Sequence, residues 1–411
     1  MSERPRALHI APIMPARSGN GLAMRQGMFL EALSRSFETR LVVLPVVGRD
    51  DAPAALPDEL GVPATVIPVA GRQDTHFSLL ARLAVPAARL SAFRSYGRSS
   101  LASHLSSPVL AELRTAVGAQ RYDLVHLGRS YLGDALQVLD AARATVDLDE
   151  DEWTSHREIA ATLEPGDPVG SAWAAAEADA MAALIGRQAP RFAARFISSR
   201  LDAALIEHRH PTTAGLEVIE NAVSVPAETH RRDDGATLLF LGSFGYAPNV
   251  DAANWLVEEI WPLIQRHAAR PLRLLIVGRD AGRVARLGQR DRVEVQPDIE
   301  DVADAYGRAT VFLAPLRAGA GTRVKLLEAA AHRVPLVATT LGARGLPFES
   351  GKHLLLADSV AGFAEATLDT IADARASATR VEAAWSIVRA QYQRGGVIER
   401  LACRLSEIAA R

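Results

Sequence analysis

Short runs of apolar residues recur along the whole sequence and alternate with longer segments whose apolar residues have helical spacing. Strands that lack polar alternation are typical of parallel sheets, in which helices cover both faces. The pattern therefore predicts an α/β protein built from doubly wound, Rossmann-like sheets. The predicted strands are residues 7–10, 41–47, 66–69, 124–127, 145–148, 196–198, 217–219, 237–241, 273–277, 293–296, 311–314 and 336–338.

The chain length predicts two domains, because 411 residues exceed what one hydrophobic core normally supports. Residues 226–236 are polar, charged and aperiodic, as linkers between domains tend to be. We predict an N-terminal domain over 1–228, a second domain over 229–380, and C-terminal helices over 381–411 that pack back toward the first. Two such domains are expected to face each other across a cleft at the carboxyl ends of their strands.

Charge and cysteine content exclude several classes of protein. The formal net charge is only -2 and the basic residues form no long run, so we expect no nucleic-acid partner. Cys403 is the only cysteine, which excludes an internal disulfide and a cysteine-rich zinc site and fits a cytoplasmic protein. Because no apolar run approaches the roughly 20 residues that span a bilayer, we expect a soluble or at most peripheral protein.

Residues 79–105 are mostly small or apolar apart from four arginines, and a peripheral membrane contact is one interpretation of this segment. Such a stretch could form a basic face for anionic lipid or for a charged acceptor. A solvated helix pair is the favoured interpretation, because Pro86 and Gly97 interrupt any long amphipathic helix. The four arginines are Arg82, Arg89, Arg94 and Arg98.

A glycine-rich turn follows the predicted strand that ends at Ala314, and a helix is predicted to begin near Thr322. Gly319 and Gly321 let the backbone approach a ligand closely, and the free amides of a helix start attract phosphate. Thr322 is the predicted N-cap.

Two cations lie at this helix start. Arg323 and Lys325 occupy the first turn, where the helix dipole favours carboxylates, and they therefore indicate an anionic ligand. Glu328, about one turn further along, could accept hydrogen bonds from two neighbouring hydroxyls of a ribose. The alternative is a surface helix that follows an ordinary glycine turn and carries a solvated lysine.

Several linked motifs occur in order in the second half of the chain: FLGSFGYAPN at 240–249, LLIVG at 274–278, GAGTRVKLLEA at 319–329, VPLVAT at 334–339 and GARGL at 342–346. Together they resemble the donor-binding domain of retaining glycosyltransferases of the GT-B fold, family 4 (glycosyl transferases group 1), over residues 238–358. The resemblance implies that the glycine-rich helix start binds a diphosphate and that Glu328 holds the ribose. The implied donor-binding residues here are Gly242, Gly278, Gly319, Gly321, Thr322, Val324 and Glu328.

The sequence departs from this family in two places. Ala320 stands where many members have the first glutamate of a Glu-x7-Glu pattern. Residues 243–249 lack the Arg and Lys with which many members hold the diphosphate. We infer that Arg323 and Lys325 assume that catalytic role, and we interpret Asn249 as a helix N-cap.

The first domain resembles the same family more faintly, and the resemblance makes it the acceptor side. Gly19, Gly21 and Arg25 match a glycine loop that faces the donor phosphates. His126 is interpreted as a catalytic residue that reaches the reacting sugar, with a core histidine as the alternative, and Arg129 is placed on the acceptor side. Because Met24 occupies the third glycine position of a dinucleotide fingerprint, a nicotinamide enzyme is not expected.

An acidic cluster at residues 147–152 follows another predicted strand. Such a run could bind a divalent metal. The resemblance implies no metal, and a solvated loop at the strand end is the favoured interpretation.

The resemblance implies transfer of a sugar from a nucleoside diphosphate sugar to an acceptor hydroxyl with retention of anomeric configuration. Polysaccharide, glycolipid and secondary-metabolite glycosylation are the expected settings, with the nucleotide sugar as substrate and no cofactor. Two alternatives stay open. One is an epimerase or phosphorylase of the same fold, and the other is a catalytically silent nucleotide-sugar-binding protein, suggested by Ala320 and the missing Arg/Lys pair.

Overall fold

The computed structural model describes residues 4–163, 166–228, 231–297, 302–319 and 323–411. Its chain divides into two compact units. The first unit is Met1–Ala222 together with Gly395–Arg411, and the second unit is Val223–Arg394. Within the described ranges, no helix is both long enough and apolar enough to cross a membrane.

The first unit is built on a seven-stranded parallel sheet with strand order β3-β2-β1-β4-β5-β6-β7. Parallel strands must be joined by crossover connections, which are usually helices that pack on the sheet. The strands are β1 (Arg6–Ala11), β2 (Glu38–Val43), β3 (Ala64–Val66), β4 (Arg121–Leu127), β5 (Asp140–Asp149), β6 (Ala194–Ile197) and β7 (Glu217–Val218).

In the described part of the first unit, eight helices connect these strands and a ninth returns from the C-terminal end. The helix after β1 is capped by Asn20, whose side chain accepts from the Leu22 amide at 2.8 Å. The helices are α1 (Gly21–Ser36), α2 (Ala55–Glu59), α3 (Thr75–Leu80), α4 (Pro86–Tyr96), α5 (Ser107–Val117), α6 (Glu152–Leu163), α7 (Pro168–Gln188), α8 (Arg200–Arg209) and, after the second unit, α15 (Arg394–Ala410). Short 3-10 helices lie at Ala102–His104, Ser130–Val138, Ala189–Arg191 and Pro211–Thr213.

The second unit is built on a six-stranded parallel sheet with strand order β10-β9-β8-β11-β12-β13. Its strands are β8 (Thr237–Leu241), β9 (Arg273–Val277), β10 (Val293–Gln296), β11 (Val311–Ala314), β12 (Leu336–Ala338) and β13 (Leu355–Leu356). Its helices are α9 (Ala247–Trp255), α10 (Trp261–His267), α11 (Val302–Arg308), α12 (Val324–Ala331), α13 (Val360–Ala372) and α14 (Ala374–Ile387). A π-helical turn, Leu256–Ile260, joins α9 to α10, another, Val388–Tyr392, follows α14, and 3-10 turns lie at Ala281–Gln289 and Leu341–Ala343.

Alternate residues of one strand enter different hydrophobic cores in the second unit. On β8, Leu239 and Leu241 pack into the core that contains α12, whereas Leu238 and Phe240 pack into the core of α9 and α13. Strand β8 is therefore buried on both faces, which explains why its sequence is a continuous apolar run. The prediction of doubly wound α/β sheets is confirmed.

Each sheet has a position where the direction of winding reverses. In the first unit this switch lies between β1 and β4, and in the second it lies between β8 and β11. Open α/β sheets bind ligands outside the carboxyl ends of the strands at such a switch. The residues that follow β8 and β11 are therefore the first place to examine for a site.

Candidate functional site

The loop after β11 leads into α12, which begins at Val324 with Arg323 in the N-cap position. Gly319 has φ of +100°, a left-handed conformation that favours glycine. Its carbonyl oxygen accepts hydrogen bonds from the guanidinium groups of Arg323 and, at 3.1 Å, Arg344. Two cations thus converge at the mouth of α12. The predicted donor residues Gly321 and Thr322, the latter the predicted N-cap, and Ala320 lie outside the described residues.

The first turn of α12 also carries an ion pair. The Lys325 ammonium donates to Glu328 Oε2 at 2.8 Å, and the Tyr306 hydroxyl of α11 donates to the same oxygen at 3.0 Å. Burial, reinforced by the Glu328 carboxylate, raises the pKa of the Tyr306 hydroxyl well above its ordinary value, so the hydroxyl keeps its proton. Glu328 is 8% exposed and held from two sides, which fixes its position near the helix start.

Loops from neighbouring strands meet at this place. An added Cβ on Gly319 would lie 2.7 Å from the Tyr246 hydroxyl, so the loop after β8 touches the loop after β11 across the switch. The Thr339 hydroxyl donates to the Leu316 carbonyl, which ties the loop after β12 to the same region. Of the predicted residues, the structure brings Gly319, Arg323, Val324, Lys325 and Glu328 together here.

Gly242 and Gly278 follow β8 and β9 and allow these two strands' loops to approach. The Gly242 amide donates to the Val277 carbonyl at 3.1 Å, and Gly278 has φ of +156°. An added Cβ on Gly278 would lie 1.6 Å from the Gly242 carbonyl oxygen. Glycine is therefore required at 278 by the packing of the two loops, whether or not a ligand contacts it.

Substitution Gly278→Ala is expected to lower the free energy of unfolding by about 3 kcal/mol, through the backbone clash and the positive φ together. Gly282→Ala is the control, because an added Cβ there meets no atom within 4 Å. Urea unfolding measures both. Equal midpoints for the two variants would show that the loops rearrange without cost.

Asn249 does not cap α9, contrary to the sequence interpretation. The helix begins at Ala247, with Pro248 in its first turn, so Asn249 lies inside the helix. Its side-chain amide donates to the Ser243 carbonyl at 2.9 Å and holds the loop after β8 in place.

Sequence reasoning missed two residues that position this group. Arg344 lies within the GARGL motif and follows β12, the strand beside β11 in the sheet. Its position after that strand could have predicted that it lies near the start of α12. Tyr306 lies in α11, and nothing in its local sequence indicates that its hydroxyl reaches Glu328. Only the packing of α11 beside α12 shows that contact.

In the first unit, Arg25 is 1% exposed and forms a bidentate ion pair with Asp147, with N–O distances of 2.6 and 2.7 Å. It also donates to the Ile219 carbonyl at 2.9 Å and to Asn221 at 3.1 Å. In this arrangement Arg25 joins α1 to β5 and to the segment after β7. Its predicted contact with donor phosphates stays a prediction.

Arg129 is likewise engaged with the acidic cluster. Its guanidinium donates to Glu152 and to Asp149, each at 2.9 Å, and Asp149 has φ of +63°. Burial raises the pKa of Glu150 to about 7, and the nearby Arg129 opposes that rise. Asp151 pairs with Arg209 at 2.8 Å, so arginines neutralise the cluster. In the described parts of the chain, no three His, Cys, Asp or Glu residues are grouped so as to hold a metal ion.

His126 lies inside the first unit on β4. The ring is fully buried, stacks on Phe29 at 4.1 Å between centroids, and its Nδ1 lies 3.0 Å from the Thr145 hydroxyl. Burial, with His9 and Arg25 nearby, lowers the pKa of His126 well below its ordinary value, so the ring is neutral at physiological pH. This is the position of a core histidine, the alternative weighed from the sequence, and a role at the sugar stays a prediction.

Gly19 and Gly21 lie beyond the carboxyl end of β1, beside the switch of the first sheet. Gly19 has φ of +91° and open space where a Cβ would lie, and Gly21 begins α1. The structure thus places them on the edge of the sheet where ligands bind in such folds, as it does Arg129 after β4.

Comparison with known proteins places these sites in context. The family described as glycosyl transferases group 1 matches residues 235–373, which lie in the second unit. Among curated proteins, no sequence matches this chain.

Solved structures match over the whole chain. HepE from Anabaena, crystallised with UDP and glucose, has a TM-score of 0.66 at 13% identity and covers 98% of this chain and 100% of its own. Sucrose-phosphate synthase from Thermosynechococcus elongatus has a TM-score of 0.67 at 15% identity, with coverage of 99% and 100%. The pneumococcal O-GlcNAc transferase GtfA, in complex with UDP and GlcNAc, has a TM-score of 0.64 at 11% identity and covers 100% of both chains.

The chain has the GT-B fold. The sequence prediction of this fold is confirmed, and the family match together with these structures supports a glycosyltransferase. Among the predicted donor residues, the match to residues 235–373 includes Gly242, Gly278, Gly319 and Glu328, together with both catalytic candidates at the start of α12.

Proposed function

We propose that the protein transfers a sugar from a nucleoside diphosphate sugar to an acceptor hydroxyl, with retention of anomeric configuration and without a metal ion. The second unit binds the donor at the mouth of α12. The observation that carries the proposal is the convergence of Arg323, Lys325 and Glu328 at the switch between β8 and β11, in a segment that matches glycosyl transferases group 1.

Each group at this place suits one part of the donor. Glycosyl transfer requires stabilisation of a leaving diphosphate, and cations held in advance supply that stabilisation with little reorganisation. The Lys325 ammonium has three N–H donors, one of which goes to Glu328, so others are available to a phosphate oxygen. Glu328 accepts the two ribose hydroxyls through its carboxylate oxygens. The glycines after β8, β9 and β11 allow the donor to lie close to the backbone.

The acceptor is assigned to the first unit, on the side of Arg129. His126 is buried and neutral, so we assign proton removal from the acceptor to the departing phosphate and not to a strong protein base. This differs from glycosidases, in which two carboxylates flank the scissile bond.

A thermal-shift panel of UDP, GDP, ADP and their sugar conjugates tests donor binding, because a ligand of the folded state raises its apparent stability. UDP conjugates come first, since HepE is crystallised with UDP-glucose. We expect one nucleotide class to raise the melting temperature. No shift with any nucleotide would refute the donor site.

Product analysis then separates the reactions. Transfer to an added acceptor with an unchanged anomeric configuration, read by NMR, supports the proposal. An epimerised donor or phosphate-dependent cleavage would indicate the epimerase or phosphorylase alternative. Donor binding without turnover over a broad acceptor panel would indicate a silent binding protein.

A further inference from the structure

The first unit contains a long segment without acidic residues. Between Asp74 and Glu112 the sequence has no Asp or Glu, although it includes four arginines and two histidines. The protein as a whole has a net charge of only -2, so positive charge is concentrated in this segment. Concentrated charge of one sign on a near-neutral protein indicates an interaction with a partner of opposite charge.

Helices α3 and α4 belong to this segment and pack against α7. Leu80 and Phe93 are buried with Ala176 and Ala180 of α7 in a small hydrophobic cluster of their own. Phe93 stacks on Trp173 of α7 with ring centroids 4.4 Å apart. The two helices are thus anchored to α7.

The connection between α3 and α4 is exposed and apolar. Every residue from 81 to 88 is exposed. Of the six large hydrophobic side chains that are exposed in the described part of the chain, three lie within seven residues: Leu79 at 55%, Leu83 at 37% and Val85 at 61%. Single exposed hydrophobics are ordinary, whereas a group of them indicates a contact surface.

Arginines surround these apolar residues. Arg89 donates to the Leu83 carbonyl at 2.9 Å and so closes the turn between the helices. Arg82 and Arg94 are exposed, and the guanidinium group of neither forms a hydrogen bond or ion pair with a described residue. We call residues 79–94 the basic tip.

We propose that the basic tip is a docking surface for an anionic lipid bilayer. Leu79, Leu83 and Val85 insert at the boundary between headgroups and acyl chains, and Arg82 and Arg94 bind lipid phosphates. The combination of the two features favours this partner, because anchoring to a membrane needs both apolar contact and charge. A second copy of the chain is disfavoured, since a two-fold contact would bring the unpaired arginines of both tips together.

The test is sedimentation of the full chain with vesicles of phosphatidylcholine, alone or mixed with phosphatidylglycerol. We expect binding to the anionic vesicles that is at least about tenfold tighter than to the neutral ones and that weakens as salt rises. Arg82→Glu and Arg94→Glu should each reduce anionic-vesicle binding about tenfold, and Leu83→Asp should reduce it similarly.

Matched controls come from the same chain. Arg266→Glu reverses an exposed arginine of α10, and Leu201→Asp changes an exposed leucine of α8 that is 40% accessible. Both should bind vesicles like the parent. All variants should keep the parent's thermal shift with nucleotide sugar, so this proposal and the proposed transfer reaction can fail separately.

Three results would overturn membrane docking. One is equal binding to neutral and anionic vesicles, and another is loss of binding in the controls to the same degree as in the tip variants. The third is a concentration-dependent dimer, seen by light scattering, that Leu83→Asp abolishes while vesicle binding is absent.

Discussion

Replacing Glu328 with Ala is expected to weaken binding of UDP and of UDP-sugars, or of the corresponding class identified by the thermal-shift panel, by about 10- to 100-fold. The carboxylate is 8% exposed and is assigned to two ribose hydroxyls, and a hydrogen bond to a charged group in such a place contributes about 1.5 to 3 kcal/mol. Since the free nucleotide and its sugar conjugate share the ribose, both should lose the same factor. Isothermal titration calorimetry with each ligand measures the two losses.

The control for this experiment is Glu349→Ala. Glu349 pairs with Lys352 at 3.1 Å with the same three-residue separation as Lys325 and Glu328, in the same unit, but both its side chain and that of Lys352 are exposed. This variant should bind nucleotides as the parent does. If Glu328→Ala weakens the sugar conjugate but leaves the free nucleotide unaffected, the carboxylate contacts the sugar and the ribose assignment is wrong.

Tyr306 refines the same prediction. Its hydroxyl donates to Glu328 at 3.0 Å and should hold the carboxylate without touching the donor. The local sequence of α11 could not predict this contact, because it depends on how α11 packs against α12. The same holds for Arg25, whose partner Asp147 is far away in sequence. The glycine loop that precedes Arg25 gave no indication that its side chain is buried.

The fold was largely predictable because central strands such as β8 and β11 are fully buried and leave continuous apolar runs in the sequence. Where the prediction of strands failed, the apolar pattern of a few residues was not enough to define the strand. The run at 66–69 predicted a strand, yet β3 is Ala64–Val66, and Ile67 and Val69 are buried without belonging to it. Strand β13 has only two residues, Leu355–Leu356, too few to produce a pattern.

The candidate donor site was predictable for a different reason. Its glycines and charged residues lie within short motifs around strand ends and the start of one helix, so their order along the chain already places them near each other. The first unit has fewer such motifs, and the roles of Arg129 and His126 were each predicted from a single residue. The sequence could not show that His126 is enclosed by Phe29 and Thr145.

Arg323→Ala and Lys325→Ala are each expected to lower kcat by about 10²- to 10³-fold, with a smaller effect on the KM for donor. A pre-placed donor to a developing negative charge typically contributes this much to the rate, and the charge of the leaving diphosphate grows in the transition state. Both cations lie at the start of α12: Arg323, the N-cap residue, donates to the Gly319 carbonyl, and Lys325, in the first turn, donates to Glu328. Steady-state kinetics of sugar transfer separates kcat from KM.

Lys352→Ala is the matched control, because that exposed lysine makes the same type of ion pair with Glu349 and should leave kcat unchanged. Lys325→Ala also removes a partner of Glu328, so the double variant Lys325→Ala, Glu328→Ala is needed to separate the two roles. If the lysine acts only by holding Glu328, removing it from the Glu328→Ala background changes nothing further. If it stabilises the diphosphate directly, a large loss of kcat persists in that background, and only this second outcome agrees with cations at the mouth of α12 that drive departure of the leaving group.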